Sequence, residues 1–209
     1  MSGLAPPDVR ELLRGPALDA APALLGATLV SELPGGRVLV RITEVEAYEG
    51  HLDPASHAYR GQTKRNAVMF GEPGHLYCYF VYGMHWCANI TCQQPGTAAA
   101  VLLRAAEIEE GEPVARARTR TSVPASKLAS GPARLARSLG LTGEHTGLDL
   151  LAADSPVRLM SLGDPAGYAA GPRVGVAAAA EHPWRFWLPG SATVSPYRAG
   201  GRRRTGAGR

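Results

Sequence analysis

Two pairs of strand-like segments joined by short, glycine-containing turns constrain the fold of this chain most strongly. The segments are residues 28–33 and 37–46, joined by Pro34-Gly35-Gly36, and residues 76–82 and 85–91, joined by a turn at Gly83. Glycine accepts the positive φ angles that tight turns between antiparallel strands need. Successive hairpins with few helices between them favour an antiparallel sheet surrounded by helices over a doubly wound parallel sheet.

Other segments are assigned from their apolar period and from residues that begin or end helices. Helices are predicted at residues 8–13, 18–25, 110–118 and 130–140, and further strands at residues 98–106, 174–176 and 184–188. Ser130 is a suitable N-cap for the last helix, which Gly140 should end. Residues 50–74 lack a sustained hydrophobic period, and the segment is longer than a loop that only connects two elements. It is therefore predicted to be a functional loop.

Length and composition predict one α+β domain followed by a short tail. The chain has 209 residues, of which 45% are hydrophobic and 19% charged, so a sizeable core can form. We expect the domain to span residues 1–196. Residues 197–209 carry arginines among glycines and predict a disordered, arginine-rich tail.

Charge and cysteine usage limit the classes of partner and cofactor. A formal charge of +4 and a pI near 9.2 permit a polyanionic partner without requiring one. Three cysteines with no pair at zinc-finger spacing argue against a disulfide framework and a zinc module. We expect no cofactor, no metal and no membrane span, since no apolar run is long enough to cross a bilayer. The expected state is a monomer, cytoplasmic and nucleoid-associated in a bacterium or nuclear in a eukaryote.

A carboxylate at the end of an aliphatic strand face marks the candidate chemistry. Period-two alternation places Glu44 and Glu46 on the face of Val38, Val40 and Ile42. A carboxylate in such dry surroundings either finds a partner or acts as a base. The alternation alone does not choose between the two glutamates.

Residues after this strand add a histidine, a basic run and clustered aromatic rings. They are His57, the run from Gln62 to Asn66, and the segment from His75 to Trp86, which contains three tyrosines. Together with a carboxylate, these residue types indicate an enzyme that handles a nucleobase.

Short motifs spread over most of the chain carry a family resemblance. They are Glu46-Ala47-Tyr48, Tyr77-Cys78-Tyr79, Tyr82-Gly83-Met84, Asn89, Leu102-Leu103-Arg104-Ala105, Ser130-Gly131-Pro132, Arg173-Val174-Gly175-Val176 and Trp184-Arg185-Phe186-Trp187. In this order, from about Leu24 to about Pro196, the chain resembles the alkyladenine (3-methyladenine) DNA glycosylases of the mammalian type. The resemblance implies a compact α+β domain with a curved, partly barrel-like antiparallel sheet.

The same resemblance implies a base-excision repair enzyme acting on double-stranded DNA that contains damaged bases. Its substrates would be 3-methyladenine, 7-methylguanine, hypoxanthine and ethenoadenine. Glu46 matches the residue that activates water, and Arg104 matches the arginine beside it. A backbone carbonyl of residues 173–176 is also expected to hold the water.

The matched binding residues divide into a base pocket and DNA contacts. The pocket residues are Tyr48, His57, Tyr79 and Asn89, and the DNA contacts are Thr63, Arg65, Met69, Tyr82 and Met84. Apart from the resemblance, Arg134 is expected to bind a DNA phosphate together with the start of the helix at Ser130. Tyr82 matches the family's intercalating residue, because a nucleotide rotated out of the duplex leaves a gap to be filled. Asn89 matches the residue that crowds the exocyclic amino group of normal guanine.

Alternatives to this interpretation differ in the residues that they require. A Schiff-base lyase step needs a desolvated amine, and the chain's only lysines, Lys64 and Lys127, lie in predicted surface loops, so we expect a monofunctional enzyme. A non-catalytic protein that binds distorted DNA would need neither Glu46 nor Arg104. A metal-dependent hydrolase would need histidine spacings that the chain does not match.

Overall fold

The computed structural model describes residues 6–81, 83–163 and 167–201, with side chains from Val9 onward. Its helices are α1 (Pro6–Leu13), α2 (Ala17–Leu24), α3 (Glu112–Thr119), α4 (Ala125–Leu128) and α5 (Pro132–Leu139). Its strands are β1 (Thr28–Ser31), β2 (Val38–Tyr48), β3 (Leu76–Val81), β4 (His85–Cys92), β5 (Ala99–Glu110), β6 (Val157–Ser161), β7 (Ala169–Gly171) and β8 (Arg185–Trp187). Short 3₁₀ turns lie at Gly50–Leu52, Ala67–Phe70 and Gly143–His145.

The strands form one antiparallel sheet centred on β2. Its order is β3-β4-β5-β2-β1-β6, while β8 pairs with both β2 and β7. Strand β5 follows β2 along its length, but on the other side β1 pairs with the first half of β2 and β8 with the second half. The sheet curls into a half-barrel with helices around it, which confirms the predicted α+β class and the single compact domain.

Two facing bulges reverse the side-chain alternation where β2 changes partner. In β2 the extra residue is Thr43, and in β5 it is Arg104. A bulge inserts one unpaired residue, so side chains beyond it point to the opposite face. The main core therefore takes Val38, Val40 and Ile42 before the bulge, and Val45 and Ala47 after it.

The bulges correct the prediction that both glutamates share the face of the early aliphatic residues. Beyond Thr43, Glu44 and Glu46 point away from the main core, to the same side as Arg104. The alternation is regular only up to Ile42, and the local sequence carries no sign of the bulge.

Two hydrophobic clusters lie on opposite faces of the sheet. The larger one packs α2 and α5 against the sheet. The smaller one consists of Ala58, Met69, Tyr77, Ala98 and Ala100. This smaller cluster forms a packed hydrophobic surface beside the two glutamates on the second face of the sheet.

Several predicted boundaries need correction. The residue that precedes α5 is Gly131, and no side chain caps the helix, so Ser130 is not its N-cap. Residues 174–176 form a turn, not a strand. Strand β6 was missed because Val157–Ser161 lacks clear alternation and is paired only through β1.

The C-terminal segment is described as far as Gly201. The amide of Gly175 donates to the carbonyl of Arg198 at 2.8 Å, and Gly200 lies against the backbone of Val176. Residues 197–201, which we assigned to the tail, thus contact the 173–176 turn. The rest of the predicted tail, residues 202–209, lies outside the described residues. No helix within the described ranges is long and apolar enough to cross a membrane.

Candidate active site

A cavity of about 120 Å³ opens on the sheet face that carries the smaller hydrophobic cluster. Its lining residues are Tyr48, Ala55, Ser56, His57, Met69, Tyr77, Tyr79, Asn89 and Ala100. The strands contribute the tyrosines and Asn89, and the loop after β2 contributes residues 55–57. All four residues predicted for the base pocket line this one cavity.

Aromatic rings form its walls. His57 meets the ring of Tyr79 edge-on, with centroids 4.4 Å apart, and its Nδ1 lies 3.1 Å from the Tyr77 hydroxyl. Burial of the ring and then the positive charge of Arg65 lower the pKa of His57, although the residue lies at the rim and stays partly exposed. The lowered pKa favours the neutral imidazole, which adds no positive charge to the rim.

Asn89 is fixed within the cavity wall. It is buried on β4, and its Nδ2 donates to the carbonyl of Tyr77 on β3 at 3.0 Å. This bond joins the two strands and sets the orientation of the amide. Its position therefore allows the predicted crowding of a base.

Glu46 is fully buried beside the cavity and has three partners. Its Oε2 accepts a hydrogen bond from the Tyr48 hydroxyl at 2.8 Å. Its Oε1 accepts one from the amide of Val174 at 2.6 Å and lies 3.3 Å from Nη1 of Arg104. Burial and the Glu46 charge raise the pKa of Tyr48, so its hydroxyl remains a donor. Tyr48 thus connects the pocket wall directly to the carboxylate.

Glu44 is fully buried and is held by four hydrogen-bond donors. It accepts hydrogen bonds from Nε of Arg104 at 2.8 Å, Nε of Arg185 at 2.7 Å, and the amide and hydroxyl of Ser195 at 2.7 and 2.8 Å. Three of these donors bond to Oε1 and one bonds to Oε2, so Glu44 accepts four hydrogen bonds that hold it in place. Glu46 therefore contacts the pocket wall through Tyr48, while Glu44 holds Arg104 and Arg185.

Arg104 is held between the two glutamates. Burial opposes its charge, but Glu46 and Glu44 outweigh this and raise its pKa. Its Nη2 also donates to the Ser195 hydroxyl at 3.1 Å. The turn at residues 173–176 gives Glu46 an amide donor, while the predicted carbonyl that holds water stays a prediction.

Arg173 and Asp53 were missed by the sequence reasoning. Both are fully buried, and they form a bidentate ion pair behind Tyr48. Arg173 opens a motif that carried the resemblance, which was the available signal. Nothing local marks Asp53, which lies 120 residues away.

The predicted DNA contacts differ in their placement. Thr63, Arg65 and Arg134 are exposed, and the Met84 side chain is 62% exposed. Met69 is 2% exposed and lies in the cavity wall, and its contact with DNA stays a prediction. Tyr82 lies outside the described residues.

Metal-ligating residues are dispersed in the described ranges. Three or more histidine, cysteine, aspartate or glutamate side chains nowhere gather there closely enough to hold a metal ion.

Known proteins match this chain over most of its length. A family model described as methylpurine-DNA glycosylase matches residues 11–192. A relative from Streptomyces avermitilis is 50% identical over 198 residues, which cover 92% of each chain. A relative from Leifsonia xyli subsp. xyli is 51% identical over 197 residues, covering 90% of this chain and 92% of the relative.

A third relative, from Mycobacterium leprae, is 50% identical over 184 residues, covering 86% of this chain and 84% of its own. All three relatives bear the provisional name 3-methyladenine DNA glycosylase. Since the family model spans most of the chain and the relatives align over nearly their full lengths, this chain belongs to the methylpurine-DNA glycosylase family.

Proposed function

We propose that the protein is a monofunctional DNA glycosylase of base-excision repair that acts as a monomer on double-stranded DNA. It rotates a damaged purine into the Tyr48–Tyr79 cavity and hydrolyses the N-glycosidic bond with a water activated by Glu46. The observation that carries this proposal is the hydrogen bond from Tyr48 to Glu46, because it places a pocket wall and a buried carboxylate side by side.

The reaction needs one water and one proton acceptor. The water oxygen forms a bond to C1′ of the sugar while the bond from C1′ to the base nitrogen breaks, and that electron pair leaves with the base. Glu46 takes the proton of the water, and its negative charge stabilises the oxocarbenium-like sugar. Arg104 and the Val174 amide fix the carboxylate for this role.

The aromatic walls of the cavity and Asn89, which disfavours a normal base, support damaged purines as the substrate class. Stacking on a tyrosine is worth about 1–3 kcal/mol per base, and a positively charged alkylated purine gains a cation–π term. Such a base also leaves as a neutral molecule. Asn89 disfavours normal guanine by crowding its amino group. Hypoxanthine and ethenoadenine are included in the proposed range through the family resemblance.

The positions of the lysines support hydrolysis without a lyase step. Neither Lys64 nor Lys127 lines the cavity. Lys64 is exposed, and Nζ of Lys127 donates to the carbonyl of Ala192 at 2.8 Å. An amine that attacks C1′ would have to lie in the pocket.

A strand-scission assay on duplexes with single lesions tests both parts of this proposal. We expect 3-methyladenine, 7-methylguanine, hypoxanthine and ethenoadenine to be released, and the DNA strand to break only after alkali. A break before alkali would overturn the monofunctional assignment. Lesion binding without base release would favour the non-catalytic alternative.

A further inference from the structure

A buried ion pair, Asp53 with Arg173, lies behind the cavity and joins two of its walls. Nη2 of Arg173 donates to Oδ1 of Asp53 at 2.9 Å, and Nη1 donates to Oδ2. Nη1 also donates to the carbonyl of Ala47 at 3.0 Å. A planar guanidinium with these three bonds has little freedom to move.

The first wall supported by this pair is Tyr48. The guanidinium of Arg173 lies over the Tyr48 ring, 4.6 Å from its centroid, and over the Trp184 ring at 5.0 Å. Trp184 stacks in turn on His182, with centroids 4.4 Å apart and planes 13° apart. Tyr48 is therefore supported by further planar groups, while its hydroxyl is held by Glu46.

The second wall is the loop that carries His57. Oδ1 of Asp53 accepts a hydrogen bond from the amide of Ala55 at 3.0 Å. Ala55, Ser56 and His57 follow Asp53 after Pro54, and all three line the cavity. A shift of Asp53 would thus move this wall as well.

We propose that Arg173 and Asp53 are positioning residues that set the separation of the two pocket walls around a flipped purine. This inference rests on the proposed function. Asp53 neutralises the charge of Arg173. We therefore expect the pair to position the walls through the planar shape of the guanidinium and not through its charge. Lysine at position 173 would keep the charge but lose the bidentate contact and the planar face.

The test compares Arg173→Lys with wild type by single-turnover excision at saturating protein, on duplexes that carry ethenoadenine. We expect the excision rate to fall about 10²-fold, since a misplacement of about 1 Å costs this much. Lesion-DNA affinity should change much less. The fluorescence of the bound, flipped ethenoadenine should rise, because loosened walls stack on it and quench it less.

Two further variants separate positioning from loss of fold. Asp53→Asn keeps the size of the side chain and should show the same loss of excision and the same fluorescence change. Arg10→Lys is the control, because Nη2 of Arg10 donates to both carboxylate oxygens of Asp149 and this pair does not line the cavity. It should lower the melting temperature and leave the excision rate per folded molecule unchanged.

The outcomes distinguish this inference from the proposed function. Wild-type excision and fluorescence in Arg173→Lys and Asp53→Asn would overturn the positioning role alone. An excision loss that only follows the unfolded fraction, as in Arg10→Lys, would overturn it too. If Arg173→Lys does not fold, Asp53→Asn decides by the same two readouts. Failure of wild type to release a base from any lesion duplex would instead overturn the proposed function.

Discussion

Asn89 offers a residue-scale test of selectivity. We expect Asn89→Ser to release normal guanine from undamaged duplex DNA at least about tenfold faster than wild type, because removing the crowding group relaxes discrimination by roughly 1–3 kcal/mol. Quantifying free guanine by chromatography checks this. Excision of 3-methyladenine should persist in the same variant. Unchanged guanine release with normal excision of damaged adenine would remove Asn89 from the selectivity mechanism.

At this scale, the resemblance located the pocket residues and the structure supplied their partners. Tyr48, Tyr79 and Asn89 belong to the quoted motifs, His57 lies in the loop after β2, and all four line one cavity. The partners of Glu44 and Arg104 could not be predicted, because Arg185 and Ser195 meet Glu44 from 141 and 151 residues away. No local period encodes such contacts.

At the scale of elements, the hairpin of β3 and β4 carries the predicted wedge. Its register pairs Val81 with His85, and Gly83 and Met84 lie in the turn between the two strands. Gly83 has a φ of 68°, a conformation that glycine adopts readily. The nearby side chains of Phe80 and Met84 are apolar and exposed, so the hairpin end presents apolar surface to a partner.

We therefore expect Tyr82→Ala to lower both lesion binding and excision. Flipping costs roughly a few kcal/mol, so the loss for a paired lesion should reach about one to two orders of magnitude. The loss should be smaller for a mispaired lesion, which is already easier to unstack. Titration and single-turnover assays with paired and mispaired hypoxanthine measure the difference.

Tyr168→Ala is the control for this experiment, since Tyr168 is another exposed tyrosine and packs on Phe186 away from the hairpin. It should bind and excise as wild type does. Equal activity of Tyr82→Ala and Tyr168→Ala on both substrates would exclude the wedge role.

Strand pairs were more predictable than strand irregularities. Both hairpins follow from turn residues and alternation, and their ends lie within two residues of the predicted ones. The bulges at Thr43 and Arg104 were not predictable, because they arise where β2 exchanges β1 for β8 as its partner. These bulges decide which face carries the glutamates, so the face of the site was predicted wrongly.

At the scale of the whole molecule, positive charge is available at the surface for DNA. The buried arginines Arg104, Arg173 and Arg185 are paired with Glu44, Glu46 and Asp53. The formal charge of +4 must therefore act mainly through other side chains. Composition predicted that a polyanion could bind, but not where, since sequence order alone does not locate surface charge.

Removing residues 202–209 tests how much the C-terminal arginines contribute. This deletion removes four arginines and keeps Gly200, which lies against the backbone of Val176 in the 173–176 turn. We expect weaker nonspecific DNA binding and a shallower salt dependence, because each neutralised phosphate contributes about 0.9 to the slope of log affinity against log salt. Excision at saturating protein should be nearly unchanged. Identical slopes with and without these residues would show that they do not bind DNA.

The central claim is that Glu46 activates the water, and its test needs a suitable control. Glu44→Gln is a poor one, because Glu44 holds Arg104 and its loss would disturb the site as well as stability. Glu109→Gln is suitable, since this exposed residue near the end of β5 changes charge equally and lies outside the cavity lining.

Single-turnover excision of hypoxanthine by Glu46→Gln is the most direct measurement. The variant keeps the shape of the side chain but loses the proton acceptor and the negative charge, so the rate should fall by about 10²–10⁴-fold. Binding of lesion DNA should survive, and Glu109→Gln should excise at the wild-type rate. Excision by Glu46→Gln close to that of Glu109→Gln would contradict the assignment.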